Sequence, residues 1–403
     1  MLEVIKYLNN ATAVFREMQA ELDYSDVPCS SLALDDLNDE LGIKFSINEL
    51  YPELVVLNYD QIKSPKHHPI TIECRSLVLE IPSLGGEWTV VSRSFDRFFN
   101  YGETETSYNA TRLVAHEKMD GSLIGLFYFA KYGWLYRTRS MIMPTSSIMG
   151  FELTWDVLIE DALGDKWFNQ VEAYADEEYD NDRAFTFIME VTSPENRVVV
   201  RYGDRGITLL AVRENSTGIY VNGGIMEEVR RNTSDLGWSH PETWEFETMA
   251  DCVNGAKDLR ELKEGYVMYT RLGEPACKVK NPAYVAAHHL RGEGILTPKR
   301  VMDLIIMNEL DEYLSIFPED TAVVEPYRKA IDSMWASAEG LWASCQDITD
   351  QKQFALKVKD SPVCGLLFRK KGGVGFNDAF NSLTSNGKYN LISAYVATED
   401  TDD

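Results

Sequence analysis

The chain has 403 residues, with 39 basic and 64 acidic side chains and a formal net charge of −25 at pH 7. This length is enough for a large core and two domains. The acidic balance argues against non-specific nucleic-acid binding over the whole surface, so any nucleic acid must meet a local basic groove.

The N-terminal segment, residues 1–22, has the apolar spacing of an amphipathic helix. It has no continuous apolar run long enough for a secretion signal, and no segment approaches the length needed to span a membrane. Six scattered cysteines without C-x-x-C spacing imply no zinc site. Free thiols and the lack of a targeting segment predict a reducing cytoplasm.

Two arginines of interest, Arg75 and Arg97, lie within the first hundred residues. Arg75 begins a strand-like run in which Leu77 and Leu79 alternate with Val78. An arginine there can simply pair with a carboxylate, or its planar guanidinium can bind a phosphate. Farther along, Arg97 lies within the aromatic segment SRSFDRFFN.

The sequence HEKMDGS, residues 116–122, places Lys118 two residues before an Asp120-Gly-Ser turn and directly before the apolar run LIGLFYF. This pattern predicts a lysine where a strand meets a tight turn. Asp-Gly is also a standard hairpin dipeptide, so the segment alone does not decide between catalysis and an ordinary turn.

A lysine nucleophile needs help from its surroundings. With a pKa of about 10.4, roughly one free lysine in a thousand is neutral near pH 7, a deficit of about 4 kcal/mol. Burial and nearby positive charge both favour the neutral amine. A catalytic Lys118 therefore predicts that other cations converge on it and keep its amine unprotonated.

Beyond the turn, the segment YRTRS, residues 136–140, alternates Arg137 and Arg139 on one face of a predicted strand. Either residue can bind a phosphate, and the simpler interpretation is a solvated strand edge. The stretch Phe151–Asp182 predicts a helical insertion with an acidic, solvated end.

Two glutamates stand at the ends of apolar strands. Glu190 follows the run AFTFIM, where a carboxylate requires a partner, and Glu264 precedes GYVMY. Two such carboxylates around a basic cluster predict the water shell of a divalent metal. Lys278 and Lys280, two residues apart in CKVKN, project from one strand face, which is otherwise explained as a solvated edge.

The remainder of the chain is predicted to be helical. Lys299–Phe317 and Val324–Trp342 show 3.6-residue apolar spacing, and a join is expected near residues 291–294. The cluster RKKGG, residues 369–373, is either an RNA-backbone contact or a loop kept soluble by its charge. The acidic end, TEDTDD, is predicted to be disordered.

Taken in order, ECRSLVLE, SRSFDRFFN, HEKMDGS, IMEVTSPENRVVV, EGYVMY and CKVKN form a series that resembles the RNA ligase 1 family of T-even bacteriophages, within the covalent nucleotidyltransferases. The resemblance covers roughly residues 50–290. It implies an α+β fold: an adenylyltransferase (nucleotidyltransferase) domain with antiparallel sheets at 1–285, and an all-helical C-terminal domain at 290–403 that the family links to tRNA.

The resemblance also implies an activity. Enzymes of this family are ATP-dependent RNA ligases that join a 5′-phosphate to a 3′-hydroxyl through lysyl-AMP and RNA-adenylate. The implied cofactors are ATP and Mg²⁺, with Mn²⁺ as a substitute. The implied partner is RNA with these ends, including cleaved tRNA under repair, bound by a monomer in the cytoplasm of an infected bacterium.

The resemblance assigns a functional role only to residues that match a motif of the family. Lys118 corresponds to the nucleophile, Lys278 and Lys280 to the cations that stabilise the α-phosphate, and Asp120 to a residue that orients the lysine or metal waters. The resemblance assigns Arg75 to the nucleotide or the RNA 5′-phosphate. Glu190 and Glu264 correspond to residues that hold metal-bound water.

Three further positions are less closely matched. Arg139 and Arg97 each stand where the family has a lysine, so the charge is kept while the geometry changes. For Arg139 the family role is to face the triphosphate. Asp311 matches an acidic residue tied to metal binding, although Glu309 and Glu312 beside it favour an ordinary solvated helix face.

Other functions remain open at this level. DNA ligases carry an arginine two residues after the motif glycine, where this chain has Leu123. DNA ligases and capping guanylyltransferases append a small β-barrel, which the helical pattern after Lys280 argues against. A catalytically inactive RNA- or nucleotide-binding module is the alternative from a different class, and the retained lysines and carboxylates argue against it.

Overall fold

The computed structural model describes residues 1–22, 27–83, 85–103, 113–148, 151–164, 185–260, 262–270, 273–291, 296–306 and 310–396. The chain divides into two compact units, Met1–Val285 and Ala286–Asp403. The predicted disordered tail and the acidic end of the predicted insertion lie outside the described residues. No helix within those ranges is both long and apolar enough to cross a membrane.

The strands all lie in the first unit. In chain order they are β1 (Ile43–Ile47), β2 (Leu54–Tyr59), β3 (Arg75–Glu80), β4 (Thr89–Ser92), β5 (Phe99–Asn100), β6 (Leu113–Glu117), β7 (Ser122–Phe129), β8 (Gly133–Arg137), β9 (Phe185–Thr192), β10 (Gly206–Glu214), β11 (Thr243–Phe246), β12 (Gly265–Tyr269) and β13 (Pro275–Lys280).

Among the described residues of the first unit, the helices are α1 (Glu3–Leu22), α2 (Cys29–Leu41), α3 (Pro69–Glu73), α4 (Trp155–Leu163), α5 (Gly223–Ser234) and α6 (Met249–Lys257). Helix α7 (Pro282–Arg291) spans the division between the units. The second unit continues with α8 (Pro298–Ile306), α9 (Leu310–Ile316), α10 (Thr321–Cys345), α11 (Gln351–Val358), α12 (Cys364–Lys371), α13 (Phe376–Asn381) and α14 (Ser385–Ser393).

The described strands of the first unit form three sheets. Their strand orders are β1-β2-β3-β4, β10-β9-β7-β8 and β11-β6-β12-β13-β5. All pairings within named strands are antiparallel apart from the short parallel contact of β13 with β5. The predicted fold class, antiparallel sheets followed by a helical C-terminal region, is confirmed.

Each sheet buries an apolar face. The first sheet packs beneath α1 and α2 around Leu8, Leu37 and Leu57, and its other face meets the second sheet through Val78 and Phe127. The second sheet is covered on its far side by α4 and α5, and the third packs against α6. Layers of this kind bury one face of each element, as a stable domain requires.

The second unit has its own core of helices, built around Met334, Phe354 and Leu367. Within residues 286–291, 296–306 and 310–396 the structure contains no strand. Helices α8 and α9 both fall in the predicted helix Lys299–Phe317, whose residues 307–309 lie outside the described ranges, and the predicted helix Val324–Trp342 lies within α10. A β-barrel after the last lysine motif is therefore absent from this described part of the chain.

One predicted element is wrong in its extent. Strand β8 ends at Arg137, and Arg139 lies in the bend that follows, so the two arginines do not share a strand face. Arg137 is 0% exposed, whereas Arg139 is exposed. The strand ends because Thr138 bonds locally, its backbone N–H to the Met141 carbonyl, instead of continuing the ladder.

Candidate active site

Lys118 lies in a crossover between two sheets. Strand β6 ends at Glu117 in the third sheet, β7 begins at Ser122 in the second, and the two strands do not pair. The Asp-Gly segment is therefore not a hairpin turn. The Lys118 backbone N–H donates to the Gly265 carbonyl at 2.9 Å, which fixes the lysine beside the start of β12.

The crossover requires glycine at position 121. A Cβ there would lie 2.3 Å from the carbonyl oxygen of Val191, closer than any real Cβ contact. The Gly121 N–H donates to Glu190 Oε1 at 3.2 Å. The close approach of the crossover to β9 thus brings Glu190 next to the lysine motif.

Asp120 is an anchor of this crossover. Its side chain is 3% exposed, and Oδ2 accepts hydrogen bonds from the backbone N–H groups of Val199 (2.8 Å) and Val200 (2.6 Å). The hydroxyl of Tyr284 donates to Oδ1 at 2.7 Å. Both carboxylate oxygens therefore bind groups of the protein, so Asp120 fixes the backbone of the segment that carries Lys118.

Glu264 bridges two of the predicted lysines. Its Oε2 lies 2.5 Å from Lys118 Nζ and its Oε1 lies 3.0 Å from Lys280 Nζ. Glu264 is 4% exposed, and Lys118 keeps 22% of its side-chain surface. Burial opposes ionisation of Glu264, but the two lysines outweigh it and hold the pKa of this carboxyl below its ordinary value of 4.5.

The prediction that cations keep Lys118 neutral is wrong for the ligand-free protein. Burial lowers the pKa of its amine, but the carboxylates of Glu264 and Glu190 act in the opposite direction and prevail, so the pKa lies above 10.5. The amine with a depressed pKa is Lys278, lowered to about 7 by burial and by the charges of Arg75, Lys118 and Lys280. Cations do surround Lys118, as predicted, but the carboxylates of Glu264 and Glu190 lie near it too.

The pKa of Glu190 is shifted in the opposite direction from that of Glu264. Burial raises its pKa from 4.5 to about 7, even though Lys118 and Arg75 favour the charged form. Within the described ranges no three His, Cys, Asp or Glu side chains form a group that could hold a metal ion. A divalent cation here would accordingly need phosphate oxygens and water as its remaining ligands, which is how Mg²⁺ is commonly held.

Arg75 is aimed by an irregularity in β3. The pairing with β2 shifts between Leu57 and Asn58, and Ser76 takes the left-handed conformation with φ of 57°. Such bulges re-aim side chains next to functional sites. The Arg75 guanidinium lies 5.2 Å from the ring centre of Phe98, and Lys278 Nζ lies 4.5 Å from the same ring.

A cavity of about 630 Å³ opens at this cluster. Six of the predicted site residues line it, namely Arg75, Lys118, Arg139, Glu190, Lys278 and Lys280. The lysine pair of β13 projects into it while Cys277 and Val279 are buried behind. This volume, with five cations on its wall, fits an anionic ligand the size of a nucleotide.

The other predicted residues lie elsewhere. Asp120 and Glu264 hold lining residues from behind, and Arg97 is stacked over the Tyr59 ring at 4.2 Å without lining the cavity. Asp311 belongs to the second unit, where its side chain is 94% exposed and pairs with Arg328. This placement matches the solvated helix face that its acidic neighbours predict.

Several lining residues were not singled out from the sequence. The His116 and Tyr269 rings lie 4.3 Å apart, and burial lowers the pKa of His116 to about 4, so this ring is neutral at pH 7. Leu210 and Val267 add apolar surface. Aromatic and aliphatic residues inside strands look like core residues in a sequence, and no local signal separates them.

Comparison with known proteins agrees with this geometry. A family model described as RNA ligase, of the bacteriophage T4 type 1 class, matches residues 73–284, more than half of the chain. The chain belongs to the phage RNA ligase 1 family. The matched segment runs from the start of β3, through the lysine crossover, to the tyrosine that anchors Asp120.

Two viral proteins with RNA ligase in their names are similar to this chain. A protein of Autographa californica nuclear polyhedrosis virus, named for bifunctional polynucleotide kinase and RNA ligase activity, is 32% identical over 308 residues, covering 72% of this chain and 41% of that protein. An RNA ligase of Rhodothermus phage RM378 is 23% identical over 352 residues, covering 72% and 78%. The chain thus spans less than half of the baculovirus relative.

Among solved structures, an archaeal ATP-dependent RNA ligase is similar with a TM-score of 0.44 and 17% sequence identity, covering 68% of this chain and 66% of that one. Membership of the RNA ligase 1 family, together with the absence of strands after β13 in the described residues, argues against the DNA ligase and capping-enzyme alternatives.

Proposed function

We propose that this chain is an ATP-dependent RNA ligase whose first unit transfers adenylate. The observation that carries the proposal is Lys118, a part-exposed amine at the cavity wall, held by Glu264 and surrounded by Arg75, Lys278 and Lys280. Neither a hairpin lysine nor a surface lysine would have this environment. Membership of the RNA ligase family supports the same function.

The reaction begins with Lys118 as nucleophile. Its Nζ attacks the α-phosphorus of ATP, a nitrogen–phosphorus bond forms, and the bond to the bridging oxygen breaks to release pyrophosphate. Lys278 and Lys280 face the charge that develops on the phosphate oxygens. The adenylyl group then passes to an RNA 5′-phosphate, and a 3′-hydroxyl displaces AMP to join the ends.

Lys118 must lose a proton before it attacks, and because 22% of its side chain is exposed, water can accept that proton. Glu264 and Glu190 oppose this loss by favouring the charged amine. A bound divalent cation, for which we propose Mg²⁺ with Mn²⁺ as a substitute, would neutralise these carboxylates and offset charge on the phosphates. Once Glu264 is neutralised, burial and the neighbouring lysines favour the neutral amine of Lys118.

The second unit is proposed to recognise RNA. Residues 351–373 hold six basic side chains, Lys352, Lys357, Lys359, Arg369, Lys370 and Lys371, against one acidic residue, Asp360. In a chain of net charge −25 this is a concentrated positive segment. It is built on α11 and α12, and four of its basic residues, the three lysines of 352–359 and Arg369, are exposed.

The partner is proposed to be RNA with a 5′-phosphate and a 3′-hydroxyl, including cleaved tRNA, bound by a monomer in the cytoplasm of an infected cell. All six cysteines are free thiols, as expected in a reducing compartment. Joining assays on a nicked tRNA loop, a plain single strand and a nicked duplex would separate the substrates. Joining only across the duplex nick would contradict the proposed substrate.

The test of the adenylyl step uses labelled nucleotide. After incubation with α-labelled ATP and Mg²⁺, the denatured wild-type chain should retain label, and Lys118→Ala should retain none, because no other amine replaces the nucleophile. Lys131→Ala, at an exposed lysine paired with Glu53, is the matched control and should label normally.

The outcomes separate the alternatives. No label on the wild-type chain would favour a nucleotide-binding module without catalysis. Label from GTP and not from ATP would favour a capping enzyme. End joining that persists in Lys118→Ala would overturn the proposed nucleophile.

A further inference from the structure

Arg137, at the end of β8, is a buried cation without an acidic partner. It is 0% exposed, and its Nε donates to Ser92 Oγ at 3.2 Å. Neither Nη1 nor Nη2 has a hydrogen-bond partner among the described residues. Buried charges are ordinarily paired with an opposite charge, because an uncompensated one is costly to remove from water.

The neighbouring charge that acts on Arg137 is that of Arg75, which is also positive. Burial, and to a smaller extent the charge of the neighbouring Arg75, lower the pKa of its guanidinium to about 9. Arg75 lines the cavity, and its own buried Nη1 also has no partner among the described residues. Two arginines therefore adjoin each other, and the structure shows no carboxylate acting on the inner one.

Three neighbouring strands, β4, β7 and β9, form the space that the Arg137 side chain occupies. A Cβ at Gly125 in β7 would lie 2.7 Å from Arg137 Nη2, so the glycine leaves the space that the guanidinium fills. Ser92 Oγ is in turn hydrogen-bonded to Thr186 Oγ1 at 3.0 Å, and Thr186 donates its hydroxyl proton to Asn215 Oδ1 at 2.7 Å. This buried polar chain fixes Ser92, and through it Arg137.

We propose that Arg137 is a positioning residue for phosphate binding, and that its buried charge adds to that of Arg75 in supplying the positive potential that holds the polyphosphate of the nucleotide in the cavity. The proposal rests on the proposed function, since it assumes that the cavity binds a nucleotide. A buried positive charge acts over a longer range than an exposed one because water screens it less. Arg137 can therefore act on the ligand through Arg75 without lining the cavity.

This role and a purely structural role make opposite predictions for stability. If Arg137 served only the fold, replacing it would destabilise the protein. If its charge is kept for the ligand, replacing it with an apolar side chain of similar volume should leave the ligand-free protein unchanged or more stable, because an uncompensated buried charge is removed. Binding of polyphosphate should weaken in the same variant.

The experiment measures binding of inorganic tripolyphosphate and of ATP to the full chain, together with the melting temperature without ligand. For Arg137→Met we expect dissociation constants about tenfold higher for both probes and a melting temperature equal to or above that of the wild type. Arg328→Met, which removes one positive charge from the second unit, is the matched control and should bind both probes normally.

A second variant keeps a basic group that can lose its charge. A buried lysine deprotonates more readily than an arginine, so Arg137→Lys should bind tripolyphosphate almost as the wild type does at pH 6.5 and progressively worse as the pH rises to 9. Taking the ratio of variant to wild-type constants at each pH removes the titration of the probe itself. A structural role would leave this ratio constant.

The results distinguish two failures. Unchanged binding in Arg137→Met, or a lower melting temperature with unchanged binding, would overturn the positioning role while leaving the ligase proposal intact. Failure of the wild-type protein to bind either probe would overturn the proposed function, on which the inference depends.

Discussion

Glu264 contacts Lys118 and Lys280 at once, and this double contact sets the condition under which Lys118 can react. While the carboxylate is charged, the lysine keeps its proton and the pair is stable. Neutralising Glu264 removes the largest influence that favours the charged amine, so that burial, which favours deprotonation, is opposed only by the weaker effects of Glu190 and Asp120. The reaction proposed for Lys118 therefore requires a positive charge that offsets the Glu264 carboxylate.

The raised pKa of Glu190 predicts how the free energy of unfolding depends on pH. Its folded pKa of about 7 exceeds the ordinary 4.5, so its contribution to stability is complete below pH 4.5 and is lost as the pH rises through 7. Glu190→Gln stays neutral and can still accept the Gly121 hydrogen bond. We expect this variant to exceed the wild type in urea denaturation at pH 8 by on the order of 2 kcal/mol, and to equal it near pH 4.5.

The matched control is Glu245→Gln, the same substitution at an exposed position of β11. A Glu190→Gln variant whose stability differs from the wild type by the same amount at both pH values would contradict the raised pKa. Labelling from ATP should fall in Glu190→Gln irrespective of pH, if the carboxylate holds metal-bound water as proposed.

At the level of elements, the crossover from β6 to β7 is held through Asp120 by two other segments. These are the loop at Val199 and Val200 and the start of α7 at Tyr284. Tyr202 adds a further contact, accepting the Asp120 backbone N–H at 3.2 Å. These contacts thus fix the backbone that carries Lys118, the proposed nucleophile.

This arrangement predicts graded losses of stability. Tyr284→Phe removes one hydrogen bond to a charged acceptor and should cost about 2 kcal/mol in urea denaturation. Asp120→Ala removes three hydrogen bonds and leaves the amides of Val199 and Val200 without their acceptor, so we expect a loss of about 4 kcal/mol or more. Tyr389→Phe, at an exposed tyrosine of α14, is the control.

If Asp120→Ala abolished labelling from ATP but unfolded like the wild type, Asp120 would act on the reaction alone and not as the anchor described above. Loss of both stability and labelling is the result expected of an anchor, with Tyr284→Phe intermediate in both measurements.

For the whole molecule, the distribution of charge decides where RNA can bind. The net charge of −25 repels a polyanion, so binding depends on the cavity cations and on the positive segment 351–373. Each phosphate contact made by a basic residue adds to the salt dependence of affinity.

This gives a prediction for the second unit. Replacing the exposed Lys352, Lys357 and Lys359 by glutamine should weaken RNA binding and reduce the slope of log affinity against log salt by about 2, at about 0.7 per contact for single strands. The rate of labelling from ATP should not change. The triple replacement of Lys6, Lys44 and Lys131, which changes net charge equally in the first unit, is the control. Equal effects of the two triples would contradict a local RNA surface.

Much of this protein follows from its sequence because the signals are local. Apolar alternation places Lys278 and Lys280 on one face with Cys277 and Val279 buried on the other, and 3.6-residue spacing identifies the helices after Lys280. The motif at Lys118 names the candidate nucleophile and the family. These features depend on a few neighbouring residues, so periodicity and spacing are sufficient to predict them.

Tertiary structure alone decided the electrostatics and the connections. It decided that β6 and β7 belong to different sheets, that Glu264 holds Lys118 protonated, and that Asp120 is bound by groups 79 to 164 residues away. It also buried Arg137 and exposed Arg139, although they stand two residues apart. Burial and long-range contacts set a pKa, and neither can be derived from the order of residues within one strand.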